Sequence, residues 1–255
     1  MYNKEDSAKQ VNENKLEGRN AVLELLKSGK DIDKIIVAKG NVEGTIKRII
    51  GEASRKGIVI QEVARQKLDE ISQTKNHQGV IAIASAHSYA TVEDILENAR
   101  TKNEHPFIII LDGITDPHNL GAIMRTAECA GAHGIIIPKR RSVGLTATVG
   151  KTSAGAIEYM PVAKVTNISN TIEELKENGV WIASTDMDGE TYFNADLKGP
   201  IAIVIGSEGE GVSRLVKEKC DFNVSIPMYG NISSLNASVA AGLIMYEIVR
   251  KRKFL

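Results

Sequence analysis

The chain reads as an α/β protein of two domains, the larger built on a mainly parallel sheet. Unbroken aliphatic runs such as Phe107-Ile108-Ile109-Ile110-Leu111 and Ile201-Ala202-Ile203-Val204-Ile205 have the pattern of strands covered on both faces by helices. Such runs alternate with stretches whose apolar residues recur at helical spacing, which implies parallel strands joined by crossover helices. The length of 255 residues, 42% hydrophobic and 25% charged, suffices for more than one core.

Residues 1–14 are polar and aperiodic, and are expected to form a mobile tail. A first unit, 15–86, begins with a helix over Asn20–Lys27, its buried side Ala21, Val22, Leu25 and Leu26, stopped by Gly29. A strand at Lys34–Ala38, a helix over Val42–Arg55, a strand at Ile58–Val63, a short helical piece around Leu68 and a strand at Gly79–Ala84 follow. Residues 87–105 look like a linker with one helix over Val92–Ala99.

The second unit, 106–255, opens on the Phe107 strand, which feeds the polar loop Asp112–Asn119 and a helix over Leu120–Ala130. Asp116-Pro117 makes the turn, and Asn119 either caps the helix or faces a ligand. Arg125 lies roughly 200° around the helix from the apolar Ile123, away from the buried stripe. Strands are predicted at Gly134–Pro138, Tyr159–Val162, Val180–Thr185, Ile201–Ile205 and Val224–Ile226. The last helix starts at Asn236 and carries Val239, Leu243, Tyr246 and Val249 at helical spacing.

Composition narrows the function. No apolar stretch approaches the ~18 residues of a membrane span, and the N-terminus is unlike a signal peptide, so a cytoplasmic protein with no membrane contact is expected. Cys129 and Cys220 are far apart, without a C-x-x-C, and read as buried free thiols of a reducing compartment. The five histidines show no ligand spacing, so no metal is expected. The formal net charge is zero, and neither domain departs far from neutrality. Nucleic-acid binding would have to rest on local clusters. Lys139-Arg140-Arg141, after a strand, is the better candidate for phosphate contacts. The terminal run Arg250-Lys251-Arg252-Lys253 is explained by the helix dipole. Arg19, Asn20, His77 and Gln78 mark two polar spots that are either caps and turns or a polar edge for RNA.

The chemistry concentrates late. The loop Gly206-Ser207-Glu208-Gly209-Glu210-Gly211 follows a buried strand, and its glycines let backbone approach a ligand. Its spacing is not the dinucleotide fingerprint G-x-G-x-x-G, which argues against a Rossmann oxidoreductase. A second loop, Pro227–Asn236, precedes the final helix and brings Ser234 and Asn236 to its start. Loops of this kind at strand carboxyl ends are where α/β sheets bind ligands.

Three segments in fixed order, DPHNLGAIMRTAECAGAHGIIIPKRRS from Asp116, IVIGSEGEGVSR from Ile203 and IPMYGNISSLNASVAAGLIMYE from Ile226, together closely resemble the signature motifs of the SpoU (TrmH) family. These are S-adenosylmethionine-dependent RNA 2'-O-ribose methyltransferases. Residues 16–85 resemble the smaller substrate-binding domain, related in shape to a ribosomal-protein fold, of the RlmB-like branch, which modifies a guanosine of large-subunit rRNA.

The resemblance implies a C-terminal domain with a trefoil knot, an exception to the rule that proteins are unknotted. It implies a cofactor pocket at Thr185, Gly206, Ile226 and Leu235, and a reaction centre of Asn119, Arg125, Glu208, Ser234 and Asn236. The resemblance points to Arg125, helped by the target phosphate, as the proton acceptor, yet a guanidinium holds its proton, so clamping a phosphate suits it better. A homodimer sharing active-site groups, with the final helix in the interface, is also implied. The same motifs would serve a tRNA methyltransferase, or a non-catalytic RNA-binding factor in ribosome assembly.

Overall fold

The computed structural model describes residues 14–40 and 44–255; the tail expected before Asn14 and the start of the helix expected from Val42 lie outside the described residues. The chain divides into two compact units, one of residues up to 88 with 144–147, the other of 89–143 and 148–255.

The first unit is a four-stranded sheet in the order β1-β4-β2-β3, formed by β1 (Lys15–Glu17), β2 (Ile32–Ala38), β3 (Ile60–Val63) and β4 (Val80–Ala84). Only β2 and β3 run parallel; β1 and β2 are antiparallel to β4. Side chains alternate across a strand, so β2 serves two cores. Ile35 and Val37 join Val22, Leu25 and Leu26 of α1 (Arg19–Lys27) and Ile46 and Ile49 of α2 (Thr45–Arg55). Ile36 and Ala38 meet Leu68 of α3 (Arg65–Ile71) and Ile81 on the other face. The strand β1 has no counterpart in the sequence reading, because three residues are too few to show a period.

The second unit holds six strands, all parallel, in the order β10-β8-β9-β5-β6-β7. They are β5 (Phe107–Asp112), β6 (Gly134–Pro138), β7 (Val162–Val165), β8 (Trp181–Thr191), β9 (Ile201–Gly206) and β10 (Phe222–Ser225). Because all run the same way, their carboxyl ends and following loops lie along one edge. Helix α4 (Val92–Thr101) starts with a Thr91–Asp94 capping box and buries Val92, Ile95 and Leu96 in the core of this unit, although its stretch reads as a linker.

Helix α5 (Pro117–Cys129) begins earlier than the sequence suggests. Asp116 is its cap, accepting from His118 N at 2.9 Å, with Pro117 in the first turn; Asn119 is therefore inside the helix. The strand expected at Tyr159–Val162 starts only at Val162, and Tyr159 is 78% exposed. Cys129 is exposed, not buried, since it ends α5 on the side away from Ile123 and Ala127, and Cys220 is half-buried, its thiol pushed up to about 11 by burial.

The helices α6 (Ala147–Thr152), α7 (Ile168–Glu177) and α8 (Arg214–Lys217) complete the connections before α9 (Ala237–Phe254). Helix α9 packs on α5 and β9. Ala241, Ile244, Met245 and Ile248 face inward, while the stripe picked out by spacing, Val239, Leu243 and Tyr246, lies on the open side at 50%, 41% and 52% exposure. The basic end of α9 also differs from expectation. Lys251 donates to Ala195 O at 2.5 Å, and Arg252 donates to His105 O, Pro106 O and Gly199 O at 3.0, 2.9 and 2.5 Å. These cations pair with backbone carbonyls and bolt the helix to the amino-terminal end of the sheet.

Candidate active site at the carboxyl edge of the parallel sheet

A cavity of about 460 Å³ opens between an excursion within β8 and the loops that follow β9 and β10. Three local devices make it. Strand β8 pairs with β10 through Ser184↔Asn223, then jumps to Glu190↔Val224, so five residues of β8 leave the ladder. Thr185, Asp186, Met187 and Asp188 of that excursion line the cavity. Thr185 Oγ1 donates to Val204 O at 3.1 Å, and Asp186 is braced by Lys217 at 2.5 Å. The backbone N–H of Asp188, then Lys217, holds the Asp186 carboxyl below its usual range.

The second device is the glycine loop, which closes as a small hairpin. Ser207 N donates to Gly211 O at 3.2 Å and Gly211 N to Ser207 O at 2.9 Å. At Gly206 a Cβ would sit 2.0 Å from the carbonyl carbon of Gly211, so only glycine lets the loop fold back there. The third is Asn236, which caps α9. Its Oδ1 accepts from Ser238 N and Oγ, at 3.0 and 2.6 Å, which leaves its amide nitrogen facing Glu208.

Around Glu208 the polar groups converge. Its Oε1 accepts from Asn119 Nδ2 at 3.0 Å, Asn236 Nδ2 at 2.5 Å and Ala237 N at 3.3 Å, and Asn236 Nδ2 also donates to Asn119 Oδ1 at 2.9 Å. Residues as far apart in sequence as Asn119 and Asn236 thus meet on one carboxylate, whose second oxygen makes no hydrogen bond to the described residues. All four residues expected around a cofactor, Thr185, Gly206, Ile226 and Leu235, line the cavity, as do Glu208 and Ser234. Arg125 does not: it is exposed on α5, without an ion-pair partner among the described residues. Asp186, Asp188 and Glu210 are lining residues that sequence reasoning missed; the turn-forming run Asp186-Met187-Asp188-Gly189 was the available signal.

Comparison with known proteins rests on the same segments. Residues 106–246 match the family model described as the SpoU rRNA methylase family. The chain belongs to the SpoU family of RNA methyltransferases. Residues 15–90 match the model described as RNA 2'-O ribose methyltransferase substrate binding. The chain is 55% identical to YacO, a candidate TrmH family tRNA/rRNA methyltransferase of Bacillus subtilis (strain 168), over 92% of this chain and 94% of that protein. Among solved structures it resembles an AdoMet-bound rRNA methyltransferase from Sinorhizobium meliloti, with TM-score 0.56 and 25% identity, covering 92% and 86% of the two chains. It also resembles the A. aeolicus TrmH/SpoU tRNA modifying enzyme, with TM-score 0.54 and 28% identity, over 63% of this chain and 83% of that one.

The cofactor of this family of RNA 2'-O-ribose methyltransferases is S-adenosylmethionine, and the cavity's chemistry fits it. The cavity falls within the ~300–1,000 Å³ of small-molecule sites. It offers apolar walls at Ile205, Ile226 and Leu235, main chain at the glycine loop, and four carboxylates, Asp186, Asp188, Glu208 and Glu210, with no Lys or Arg lining it among the described residues. That balance suits a donor bearing a sulfonium and an ammonium.

The other predicted RNA contacts are placed as follows. Arg140 and Arg141 are exposed after β6, on the carboxyl edge, with Lys139 half-buried beside them. In the first unit Arg19 and Gln78 bond to each other, Arg19 N to Gln78 Oε1 and Arg19 Nε to Gln78 O, both at 3.2 Å, and Asn20 is exposed. His77 is a correction. It is 2% exposed, with Nδ1 accepting from Gly79 N at 3.0 Å and Nε2 bonded to Asp69 at 2.9 Å, so the ring is buried and both its nitrogens are engaged in shaping the loop. Among the described residues no helix is long and apolar enough to cross a membrane, and no group of three or more His, Cys, Asp or Glu is placed to hold a metal.

Proposed function

We propose that the protein methylates the ribose 2'-hydroxyl of a guanosine in large-subunit rRNA, as in the RlmB-like branch, and works in the cytoplasm as a homodimer with a knotted C-terminal domain. The observation that carries the chemistry is the junction of Asn119, Asn236 and Glu208 at the mouth of the cavity. S-adenosylmethionine supplies an electrophilic methyl group on positively charged sulfur when bound. Thr185, Gly206, Ile226 and Leu235 hold it, largely through main chain and apolar contact. Asn119 and Asn236 fix the Glu208 carboxylate, and its open oxygen accepts the hydroxyl proton as the methyl carbon bonds to the ribose oxygen and parts from sulfur, which keeps the electron pair. Such general-base help contributes ~10²- to 10⁴-fold, and orientation contributes more. Arg125, exposed and unpaired, clamps the phosphate next to the target ribose, and Ser234 orients the sugar.

The rRNA reading draws on the match of residues 15–90 to a substrate-binding domain. The dimer reading draws on the open apolar stripe Val239, Leu243 and Tyr246. The knot reading draws on the late position of β10 beside β8 and on the Glu208–Asn236 bond, which joins two loops 28 residues apart. The test is transfer of a labelled methyl group to total rRNA and to tRNA from cells lacking this protein, followed by mapping of the modified ribose. Label confined to tRNA overturns the rRNA assignment, and label in neither overturns the catalytic one.

A further inference from the structure

The first unit has a cavity of its own, of about 450 Å³, between β1, the start of α1 and the segment Gln73–Gln78. Its walls are held in place before any ligand arrives. The Glu17 carboxylate accepts from Ser72 Oγ at 2.8 Å, Gln73 N at 2.7 Å and Thr74 N at 3.2 Å, which ties the segment to β1. The buried His77 ring and the Arg19–Gln78 pair fix its far end. Lys75 and Gln78 have φ of 56° and 50°, a costly backbone for residues other than glycine, and they bracket Asn76 and His77. The groups left over are of one kind. Among the described residues, the carboxamides of Asn20 and Asn76 and Nε2 of Gln78 have no hydrogen-bond partner, and Lys15 has no counter-ion.

A carboxamide presents a donor and an acceptor side by side, as the edge of a nucleobase does. Among the described residues no aromatic side chain lines the cavity, so stacking, which accepts any base, is not available from these walls. We propose that this cavity takes one unpaired nucleotide of the RNA and reads its base edge through Asn20, Asn76 and Gln78, with Lys15 meeting the adjoining phosphate. This rests on the reading of the first unit as the RNA substrate-binding domain and adds to it a site that discriminates between bases other than the methylated one.

The test uses the full chain and fluorescently labelled rA8, rG8, rC8 and rU8, with binding read by anisotropy at fixed salt. The wild type is expected to prefer one octamer by about 5- to 100-fold, the range of a good two-point contact to a base edge. Asn20→Ala/Asn76→Ala should bind all four alike. Both positions are exposed, and circular dichroism verifies the fold. Lys15→Ala should weaken all four by a similar factor. Equal affinities in the wild type, or a preference that survives in the double variant, overturn the proposal. If the double variant also binds rRNA as the wild type does, the cavity has no role while the domain reading stands. If neither octamers nor rRNA bind the wild type, both fall.

Discussion

Replacing Gly206 by alanine puts the shape of the glycine loop to a quantitative test. The new methyl carbon would lie 2.0 Å from Gly211 C, 2.2 Å from Val212 N and 2.4 Å from Gly211 O. Carbon atoms rest ~3.5–4.0 Å apart, so the hairpin must open by about 1.5 Å. Every clashing atom is main chain, so no rotamer change relieves it. Overpacking of this kind costs ~1–3 kcal/mol, and misplacing a site by ~1 Å can cost ~10²-fold in rate. Gly206→Ala should therefore lower the melting temperature by roughly 2–10 °C. It should also weaken S-adenosylmethionine binding ~10- to 100-fold by titration calorimetry. Gly209→Ala is the control. Its φ of 87° is strained for alanine but nothing lies within 4 Å of the added carbon, so it should cost ~1–2 kcal/mol in stability and leave donor affinity within a few-fold. Wild-type affinity in Gly206→Ala, or equal damage from both variants, would refute the reasoning.

Three further perturbations separate the roles of other residues. Arg125→Ala should lower methyl transfer by ~10²-fold or more while donor affinity stays within a few-fold, because the side chain lies outside the cavity; single-turnover transfer with unchanged rate removes it from the reaction. The Glu17 carboxyl sits at about 2, against a usual 4.5: burial raises it, but hydrogen bonds from Thr74, Gln73 and Ser72 together outweigh that. Its folded value is the lower one, so its stabilisation is present above pH 4.5 and lost as pH falls toward 2. Allowing for solvent screening, Glu17→Gln should cost about 1–2 kcal/mol in urea denaturation at pH 7 and much less at pH 3, and a cost independent of pH would contradict this. Leu243→Glu places a charge in the open apolar stripe of α9 and should turn a dimer into a monomer by light scattering; a wild type already monomeric at working concentration would sink the dimer reading.

Much of the second unit was legible before folding because its strands are buried on both faces and so read as plain aliphatic runs. Phe107–Leu111 and Ile201–Ile205 needed no tertiary information. Errors fell where a side chain's job is set by a distant partner. Tyr159 reads as strand but precedes β7, and Asn119 reads either as a cap or as facing a ligand because nothing local shows that Asp116 takes the cap. His77 reads either as part of a turn or as part of a polar RNA edge until Asp69 and Gly79 engage both its nitrogens.

Sequence alone determined the α/β character, the two units and the three late motifs, since these depend on periodicity and on residue types that only local backbone demands. Tertiary structure alone decided that β8 leaves its ladder to present Asp186 and Asp188, that Arg252 bolts α9 to the carbonyls of His105, Pro106 and Gly199, and that the open face of α9 carries Leu243. The physical reason is range. A helix or strand is specified within a few residues, whereas a hydrogen bond such as Asn236 to Asn119, 117 positions apart, exists only after the chain has returned to itself.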